Sequence, residues 1–329
     1  MAYRFVCLPG DGIGPEVMLQ ANRVLMALRV GFEEQPFGGN AIDNYGKPMP
    51  HHTLEACRGA DAVLLGAVGG PQWDGAAKRP EQALINLRKE LDVYANLRPA
   101  TAEGVDLLIV RELVGGLYYG RRGTMEDGTV YDVCEYHPTQ VERIARRAFE
   151  LARGRRGKLV SVDKANVLDT SKMWRRVVTE VSADYPDVEL RHALVDSTAM
   201  WLVMHPEEFD VLVMENTFGD ILSDVAAGAT GGLGLAASAS LSDNGPGIFE
   251  PVHGSAPDIV GTGKANPAGM LRSLAMAFEY GIGEPALARS LEAAINTAIA
   301  KAPTPDLGGT ATTGEFGDVV LASLEVPVS

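Results

Sequence analysis

The chain has 329 residues, 46% of them hydrophobic and 22% charged, which suffices for about two globular domains with a sizeable core. Its formal net charge of -14 argues against nucleic acid as a partner, because binding to phosphates requires a footprint of Lys and Arg. A small anionic substrate is compatible with this charge where a local group of cations offsets the acidic field.

Strands and helices are predicted to alternate along the chain. Apolar runs predict strands over 3–8, 62–66, 107–110, 159–162 and 211–214. Helices are expected over 15–28, 138–153, 171–182, 220–227, 267–280 and 285–300. Strands separated by helices predict an α/β protein with a largely parallel sheet. Composition alone places no domain boundary in this pattern.

The cysteines and the apolar runs indicate a cytoplasmic protein. Cys7, Cys57 and Cys134 are widely spaced and odd in number, which favours reduced thiols over metal ligands or disulfides. The apolar run 5–8 is too short for the core of a signal peptide. No run approaches the roughly 20 apolar residues that span a bilayer, so no membrane contact is expected.

A glycine-rich turn, GDGIGP over 10–15, follows the first strand. Glycines at such a strand-to-helix turn let the backbone approach a ligand closely. However, Gly10, Gly12 and Gly14 alternate and Pro15 follows, which is not the spacing of a Rossmann fingerprint. The turn by itself is therefore a weak functional signal.

Two carboxylates, Asp220 and Asp224, stand four residues apart at the predicted start of a helix. Residues at this spacing share one helix face, with Cβ atoms about 5–6 Å apart. Like charges there repel unless a cation lies between them, and Mg²⁺ and Mn²⁺ prefer carboxylate oxygens. The alternative is a helix N-terminus that attracts acidic residues without any ligand.

Three arginines, Arg88, Arg98 and Arg111, stand out in an acidic chain. Because Arg forms bidentate bonds with carboxylates, their convergence would indicate a di- or tricarboxylate ligand. Ordinary surface arginines in salt bridges are the alternative for each of them.

Other polar residues have both a catalytic and an ordinary interpretation. Lys164 could transfer a proton from a strand end, or could be an exposed lysine paired with Asp163. Tyr118 could donate a proton, or could be a packing residue with a tethered hydroxyl. His253 and Asp258 could contact adenine and ribose, or could belong to a well-capped turn.

Five segments together resemble one family, the NAD(P)-dependent β-decarboxylating dehydrogenases of isopropylmalate, isocitrate, homoisocitrate and tartrate or malate. In family order they read LRKELDVYANLRP, RELVGGLYYG, VDKANVL, ENTFGDILSD and EPVHGSAPDI, and the likeness runs from 10 to 313. The resemblance implies the two-domain fold of that family, which is not a Rossmann fold. Residues 1–93 plus 231–329 would form the first domain with most of the NAD site. Residues 94–230 would form the second, with the dimer contact and the metal and catalytic residues.

The resemblance also implies roles for the residues above. Arg88, Arg98 and Arg111, with Asp220, would bind the malate-type substrate. Lys164 would help to deprotonate the C2 hydroxyl as hydride leaves for NAD⁺, and Tyr118 would protonate the resulting enol. The Mg²⁺ or Mn²⁺ ligands would be Asp196, Asp220 and Asp224. In the family the equivalents of Lys164 and Asp196 come from the partner subunit, which implies a homodimer with shared active sites.

The cofactor implied is NAD rather than NADP. Where the family uses NADP, a Lys-Tyr pair typically binds the 2′-phosphate, whereas this chain has Asp258 and Ile259, whose carboxylate repels that phosphate. The cofactor-binding residues implied by the resemblance are Ile13, His253, Gly254, Ser255, Ala256, Pro257, Asp258, Ile259 and Asn266.

The expected substrate is 3-isopropylmalate, oxidatively decarboxylated to 4-methyl-2-oxopentanoate in leucine biosynthesis. Isocitrate enzymes carry Ser and Asn on the helix before Arg88, whereas Leu84 and Ile85 suit an isopropyl group and Glu81 matches an acidic residue of isopropylmalate enzymes. Since a few methyl groups give only about 1–3 kcal/mol of discrimination, a D-malate or tartrate dehydrogenase is the alternative. A non-catalytic regulatory relative is a further alternative, although the metal aspartates, Lys164 and Tyr118 are all present.

Two features depart from the family pattern. The connection after Pro99 consists only of 100–104, which is shorter than usual and could alter the spacing of Arg98 and Arg111. Val114 replaces a threonine that is common in the family, which removes a hydroxyl near the substrate.

Overall fold

A computed structural model describes residues 3–325, apart from the side chain of Leu233. The chain divides into two compact units, Met1–Val93 with Leu233–Ser329, and Tyr94–Gly232. The strands are β1 (Arg4–Gly10), β2 (Gly31–Glu34), β3 (Ala62–Ala67), β4 (Ala95–Ala102), β5 (Val105–Glu112), β6 (Arg122–Thr124), β7 (Val130–Asp132), β8 (Lys158–Asp163), β9 (Glu189–Leu194), β10 (Val211–Met214), β11 (Ala237–Leu241) and β12 (Gly247–Pro251). The helices are α1 (Gly14–Ala27), α2 (Gly38–Tyr45), α3 (His51–Arg58), α4 (Pro80–Glu90), α5 (Pro138–Arg153), α6 (Asp169–Ser182), α7 (Val195–Met204), α8 (Asn216–Ala229), α9 (Ala268–Met276), α10 (Pro285–Lys301) and α11 (Thr313–Ser323).

The strongly periodic elements match their predictions closely. Helix α5 and strand β10 have the expected bounds, and α10 extends one residue further than expected. The helix expected over 267–280 is shorter, because α9 ends at Met276 and a π-helical segment follows over Ala277–Gly281. Seven strands were not predicted because they lack a long apolar run, namely β2, β4, β6, β7, β9, β11 and β12.

In the first unit the strand order is β2-β1-β3-β12-β11. Pairing is parallel except between β11 and β12. Strand β3 is buried along its whole length, as expected for a parallel strand covered on both faces. The glycine-rich turn leads from the end of β1 into α1, where Pro15 occupies the first turn and supplies the φ angle that a helix start requires.

In the second unit the order is β4-β5-β10-β8-β9. Strands β4 and β5 form an antiparallel hairpin in which Ala102 pairs with Val105, while the remaining pairs are parallel. The short connection after Pro99 is therefore a tight turn. Its register places Arg98 opposite Ile109, and Asn96 opposite Arg111. The predicted α/β fold with a largely parallel sheet is confirmed.

The core of the second unit holds its sheet against α7 and α8. Buried side chains from β5, β8 and β10 pack there with Leu202 and Leu222. Burying such side chains contributes about 1.5–3 kcal/mol each, so the core fixes the helix that bears Asp220 against strand β5.

The thiols are all free, with Cys7 and Cys57 buried and Cys134 partly exposed. Burial raises the pKa of both Cys7 and Cys57 to about 12. Within residues 3–325 no helix is both long and apolar enough to cross a membrane.

Candidate active site

In the second unit, Arg98 and Arg111 converge on the carboxylate of Asp220. Arg111 lies on β5 and is only 2% exposed, and its Nη1 donates to Oδ1 of Asp220. Arg98 lies on β4, with its Nη2 3.4 Å from the same oxygen and its Nη1 2.6 Å from the Ser223 hydroxyl. The short connection between β4 and β5 thus leaves both arginines at one site. For these two arginines the interpretation as ordinary surface ion pairs is wrong.

Tyr118 belongs to the same group. Its hydroxyl donates to Oδ2 of Asp220 at 2.9 Å, and the Arg111 guanidinium lies 5.8 Å from its ring centroid. Burial and the Asp220 carboxylate raise the pKa of Tyr118, so its hydroxyl stays protonated. At 40% exposure the side chain is not a core packing residue. It can both reach a ligand and supply a proton.

Helix α8 begins earlier than predicted, and this changes the interpretation of its carboxylates. The side chain of Glu215 caps the helix, which starts at Asn216, so Asp220 lies in the second turn. Because the favourable effect of a helix dipole on acids falls off within the first turn, it does not explain Asp220 and Asp224. Arg98 lies 3.4 Å from Asp224, and burial raises the pKa of Asp224 although Arg98 lowers it.

Lys164, at the end of β8, contacts Asp196 rather than Asp163. Its Nζ lies 2.5 Å from Oδ1 of Asp196, which lowers the pKa of that carboxyl. The buried carboxylate of Asp163 instead accepts two bonds from Arg175 and one from the Ala165 amide. The alternative of a Lys164–Asp163 pair is therefore wrong.

The three expected metal ligands do not meet within one chain. Among residues 3–325 no group of three or more His, Cys, Asp or Glu side chains could hold a metal ion. Asp220 and Asp224 lie four residues apart on one helix and interact electrostatically, and their oxygens suit a hard divalent cation. Their donor chemistry fits Mg²⁺ or Mn²⁺, and no third such side chain joins them among the described residues.

Helix α4 of the first unit carries the remaining substrate candidates on one face. Glu81, Leu84, Ile85 and Arg88 follow the helical spacing of one stripe, while the neighbouring stripe of Pro80, Ala83 and Leu87 is buried. Ile85 is 37% exposed, so the face presents apolar surface.

The guanidinium of Arg88 is held within the first unit by Glu250, which no sequence pattern indicated. Its Nη2 donates to Glu250 at 2.8 Å, and both side chains are 14% exposed. The Nε of Arg88 is buried and has no hydrogen-bond partner among the described residues. Arg88 thus retains donor capacity for a carboxylate.

The cofactor candidates of the first unit are brought together around the glycine-rich turn. The Ile13 amide donates to the Ser255 carbonyl at 2.9 Å. Ala256 has φ +42°, a left-handed conformation that is uncommon for a residue with a side chain. Burial lowers the pKa of His253, which favours the neutral ring, and its Nε2 is buried without a partner among the described residues. A buried, unpaired ring nitrogen suits a ligand contact.

The other cofactor candidates differ in their surroundings. Asp258 is exposed in the short 3₁₀ turn Pro257–Ile259, and Gly254 is exposed beside it. Asn266 is buried, and its side chain donates to Asp306 at 2.9 Å and accepts from the Ala268 amide. Asn266 therefore already has two polar partners that orient it at the start of α9.

Gly12 allows two backbone segments to pack closely, and it does not leave an open space for a ligand. It adopts φ +59°, and a Cβ atom there would lie 2.1 Å from the Ser255 carbonyl oxygen. The close approach of this turn to the loop of Ser255 is what requires glycine.

Replacing Gly12 by alanine is expected to lower the free energy of unfolding by about 3 kcal/mol, through backbone strain and overpacking. Chemical denaturation measures this change. Gly254→Ala is the matched control, since no heavy atom lies within 4 Å of its added Cβ. Equal stability of the two variants would contradict this account of Gly12.

A buried polar group beside Arg111 was not predicted from the sequence. The Asn216 side chain accepts from Nε and Nη2 of Arg111 at 3.0 and 2.7 Å. Glu112 is 1% exposed and accepts from the amides of Val114 and Gly115, both at 2.9 Å. The sequence offered one signal for each of them, since Glu112 directly follows Arg111 and Asn216 lies within ENTFGD.

Glu112 is expected to make stability depend on pH. Burial raises its pKa from 4.5 to about 7, so the folded protein binds this proton more tightly than the unfolded chain. The resulting stabilisation is complete below pH 4.5 and is lost as the pH rises to about 7. In Glu112→Gln the fall in unfolding free energy across this window should be about 3 kcal/mol smaller than in the wild type.

Denaturant titrations at several pH values test this prediction. Glu126→Gln, at an exposed site in the β6–β7 turn, is the control and should keep the wild-type dependence. A Glu112→Gln variant with the same pH dependence as the wild type would refute the role of Glu112.

Comparison with known proteins places this site in a family. The model of the isocitrate/isopropylmalate dehydrogenase family matches residues 4–320, which include every candidate site residue above. The chain belongs to the isocitrate/isopropylmalate dehydrogenase family. A 3-isopropylmalate dehydrogenase of Bacillus cereus (strain ZK / E33L) is 48% identical, over 99% of this chain and 98% of that protein. A chloroplastic 3-isopropylmalate dehydrogenase of Brassica napus is 50% identical, over 98% and 88%.

Solved structures of the same family share the fold. An isocitrate dehydrogenase from Methylococcus capsulatus has a TM-score of 0.91 at 37% identity and covers 98% of this chain and 99% of its own. A β-decarboxylating dehydrogenase from Thermococcus kodakarensis has a TM-score of 0.86 at 41% identity, covering 98% and 96%. The fold inferred from the sequence resemblance is thereby confirmed, and the chain is a decarboxylating dehydrogenase of this family.

Proposed function

We propose that this protein catalyses the NAD-dependent, divalent-metal-dependent oxidative decarboxylation of 3-isopropylmalate to 4-methyl-2-oxopentanoate, a step of leucine biosynthesis. The convergence of Arg98, Arg111 and Tyr118 on Asp220 carries the proposal. It combines two cations for a dicarboxylate, a proton donor and a metal-type carboxylate. The curated relatives named as 3-isopropylmalate dehydrogenases support this choice of substrate.

The substrate would be held by its carboxylates and its side chain. Arg98 and Arg111, with Arg88 of the first unit, bind the malate-type carboxylates through charge-assisted hydrogen bonds. Leu84 and Ile85 supply apolar surface for the isopropyl group. Glu81 lies on the same face, and its negative charge disfavours substrates that carry a third carboxylate.

The proton transfers fall to two residues. Lys164 takes the proton of the C2 hydroxyl, and Tyr118 returns a proton to carbon after decarboxylation. The raised pKa of Tyr118 keeps it in the protonated form that this step needs.

Asp220 and Asp224, with Asp196 of a second copy, would hold a divalent cation, which would supply Lewis acidity to the reaction. In this structure Arg98 and Arg111 neutralise Asp220. The two arginines are therefore already held within contact of the carboxylate that would bind the metal. The metal would offer a new partner to Asp220, and the substrate carboxylates would offer new partners to the two arginines. We infer that metal and substrate therefore strengthen each other's binding.

NAD would bind in the first unit, around Ile13, the loop 253–259 and Asn266. When bound there, it would supply the acceptor for the hydride that leaves C2. The neutral ring of His253 and the exposed carboxylate of Asp258 suit adenine and free ribose hydroxyls, and Asp258 repels the 2′-phosphate of NADP. On this assignment residues 1–93 plus 231–329 provide most of the cofactor site, and 94–230 provide the metal and catalytic residues.

A homodimer would complete the site. Helix α7 presents Met200, Val203 and Met204, which are 50%, 63% and 58% exposed, on the face that also carries Asp196. Neighbouring α8 adds Ile221, 58% exposed beside Asp220. An apolar face of this kind marks an interaction surface. A second copy covering it would bring its Asp196 and Lys164 towards Asp220 and Asp224 of the first.

The three free thiols favour a reducing compartment, and we place the enzyme in the cytoplasm.

Formation of NADH with 3-isopropylmalate, D-malate, tartrate and isocitrate, each with and without Mn²⁺, tests the proposal. Preference for isopropylmalate that a chelator abolishes is the expected result. Faster turnover of D-malate or tartrate would move the assignment to a malate or tartrate enzyme. Absence of turnover with all four substrates, in a folded dimer, would indicate a non-catalytic role.

A further inference from the structure

The hydroxyl of Tyr136 lies at the centre of the buried polar group beside Arg111, in the second unit. It accepts a hydrogen bond from the Asn216 amide at 3.0 Å and donates to Oε2 of Glu215 at 3.3 Å. It also interacts with the carboxyl of Glu112. The ring packs edge-on against Trp174, with centroids 5.8 Å apart, which fixes the direction of the hydroxyl.

On one side of this hydroxyl lies the turn that leads to Tyr118. Glu112 holds the turn through the amides of Val114 and Gly115. Gly116 has φ +75°, and a Cβ atom there would lie 2.7 Å from the Tyr136 hydroxyl. The turn therefore rests directly on Tyr136, and its position depends on that contact.

On the other side lies the start of helix α8. Glu215 caps the helix by accepting from the amides of Thr217 and Phe218. The Asn216 side chain donates to the Gly115 carbonyl at 3.0 Å and accepts twice from Arg111. The hydroxyl thus joins the turn of Tyr118 to the helix of Asp220, and through Asn216 it is linked to the guanidinium of Arg111.

The hydrogen bonds of this buried polar group require a hydroxyl at position 136. A phenolic oxygen can accept from an amide and donate to a carboxylate at the same time, which a phenylalanine ring cannot do. Burial raises the pKa of both Glu112 and Glu215, so ionising either of these carboxyl groups costs free energy. Both groups interact with the same hydroxyl oxygen. Without it, the Asn216 amide loses its acceptor, and leaving a buried donor unsatisfied favours a shift of the backbone.

We propose that Tyr136 is a positioning residue that holds Tyr118 and Arg111 against Asp220. The inference rests on the proposed function, because it gives Tyr118 the role of proton donor. Tyr136 touches none of the reacting atoms and acts through Tyr118 and Arg111.

A double-mutant cycle between Tyr136→Phe and Tyr118→Phe tests the proposal. In the wild-type background Tyr136→Phe should lower kcat about tenfold, with the KM for NAD unchanged. In the Tyr118→Phe background the same substitution should lower kcat by less than it does in the wild-type background, since one of the two residues through which it acts is gone. Equal losses in both backgrounds would overturn the proposal.

Tyr185→Phe is the matched control for a loss of stability alone. Tyr185 is 8% exposed and stacks on Phe149 at 4.9 Å, within the same unit. It should leave kcat at the wild-type value even where it lowers the melting temperature. A Tyr136→Phe enzyme that matches Tyr185→Phe in kcat would also overturn the proposal.

The kinetic measurements also separate this proposal from the proposed function. An active wild type in which Tyr136→Phe loses kcat equally in both backgrounds overturns the positioning role, whereas a wild type inactive on all four substrates overturns the proposed function instead.

Discussion

Asp220→Ala is expected to lower kcat/KM for isopropylmalate by about a thousandfold or more. The carboxylate is bonded to Arg98, Arg111 and Tyr118 at once. Its removal takes away a proposed metal ligand and leaves a nearly buried guanidinium without its counter-charge, which is strongly destabilising. Steady-state kinetics with saturating Mn²⁺ would measure the loss.

The effect should be specific to this carboxylate. Asp169→Ala removes an acid of the same type from the first turn of α6, where the carboxylate is 93% exposed and pairs with Lys172. That variant should retain wild-type kinetics, because an exposed ion pair contributes about 0–1 kcal/mol. Calorimetric titration with Mn²⁺ should show weakened binding for Asp220→Ala alone. Unchanged Mn²⁺ affinity in Asp220→Ala would exclude Asp220 as a metal ligand.

Lys164→Ala is the second large effect, with kcat expected to fall about 10²–10⁴-fold, the range typical of a lost general base. Since Lys164 is proposed to serve the partner's site, mixing it with Asp220→Ala should restore activity. In a heterodimer one site receives both intact residues and the other receives neither. After random exchange of subunits, about a quarter of the wild-type activity should return.

The recovery separates a shared site from a self-contained one. If Lys164 served Asp220 of its own chain, both sites of every heterodimer would lack one residue and no activity would return. The control is each variant taken through the same unfolding and reassembly alone, which should stay inactive. Recovery only when the two are mixed would also establish a dimer with shared active sites.

Much of the site could be predicted because its candidate residues lie within short, contiguous sequence motifs. Asp220, Asp224 and Tyr118 were identified from ENTFGDILSD and RELVGGLYYG, and the structure brings Asp220 and Tyr118 together. Strand β4 was missed because ANLRPATA contains few apolar residues in series. The start of α8 was misplaced because a glutamate N-cap is less typical than Ser, Thr, Asp or Asn.

The supporting residues were beyond the reach of the sequence. Glu112, Tyr136 and Glu215 are separated by up to 103 residues, and nothing local indicates that they share one buried oxygen. Likewise the pairing of Arg88 with Glu250 spans 162 residues. Such contacts arise when strands distant in sequence become neighbours, and no periodicity or spacing along the chain encodes them.

By itself, then, the sequence determined the alternation of strands and helices, the family, and the residue types available for catalysis, because these depend on local patterning. The tertiary structure decided which of those residues meet. It paired Lys164 with Asp196 rather than Asp163, and it left Asp196 outside the group around Asp220 within one chain. Burial is the largest cause of the raised pKa values of Glu112 and Tyr118, and desolvation exists only once the chain has folded.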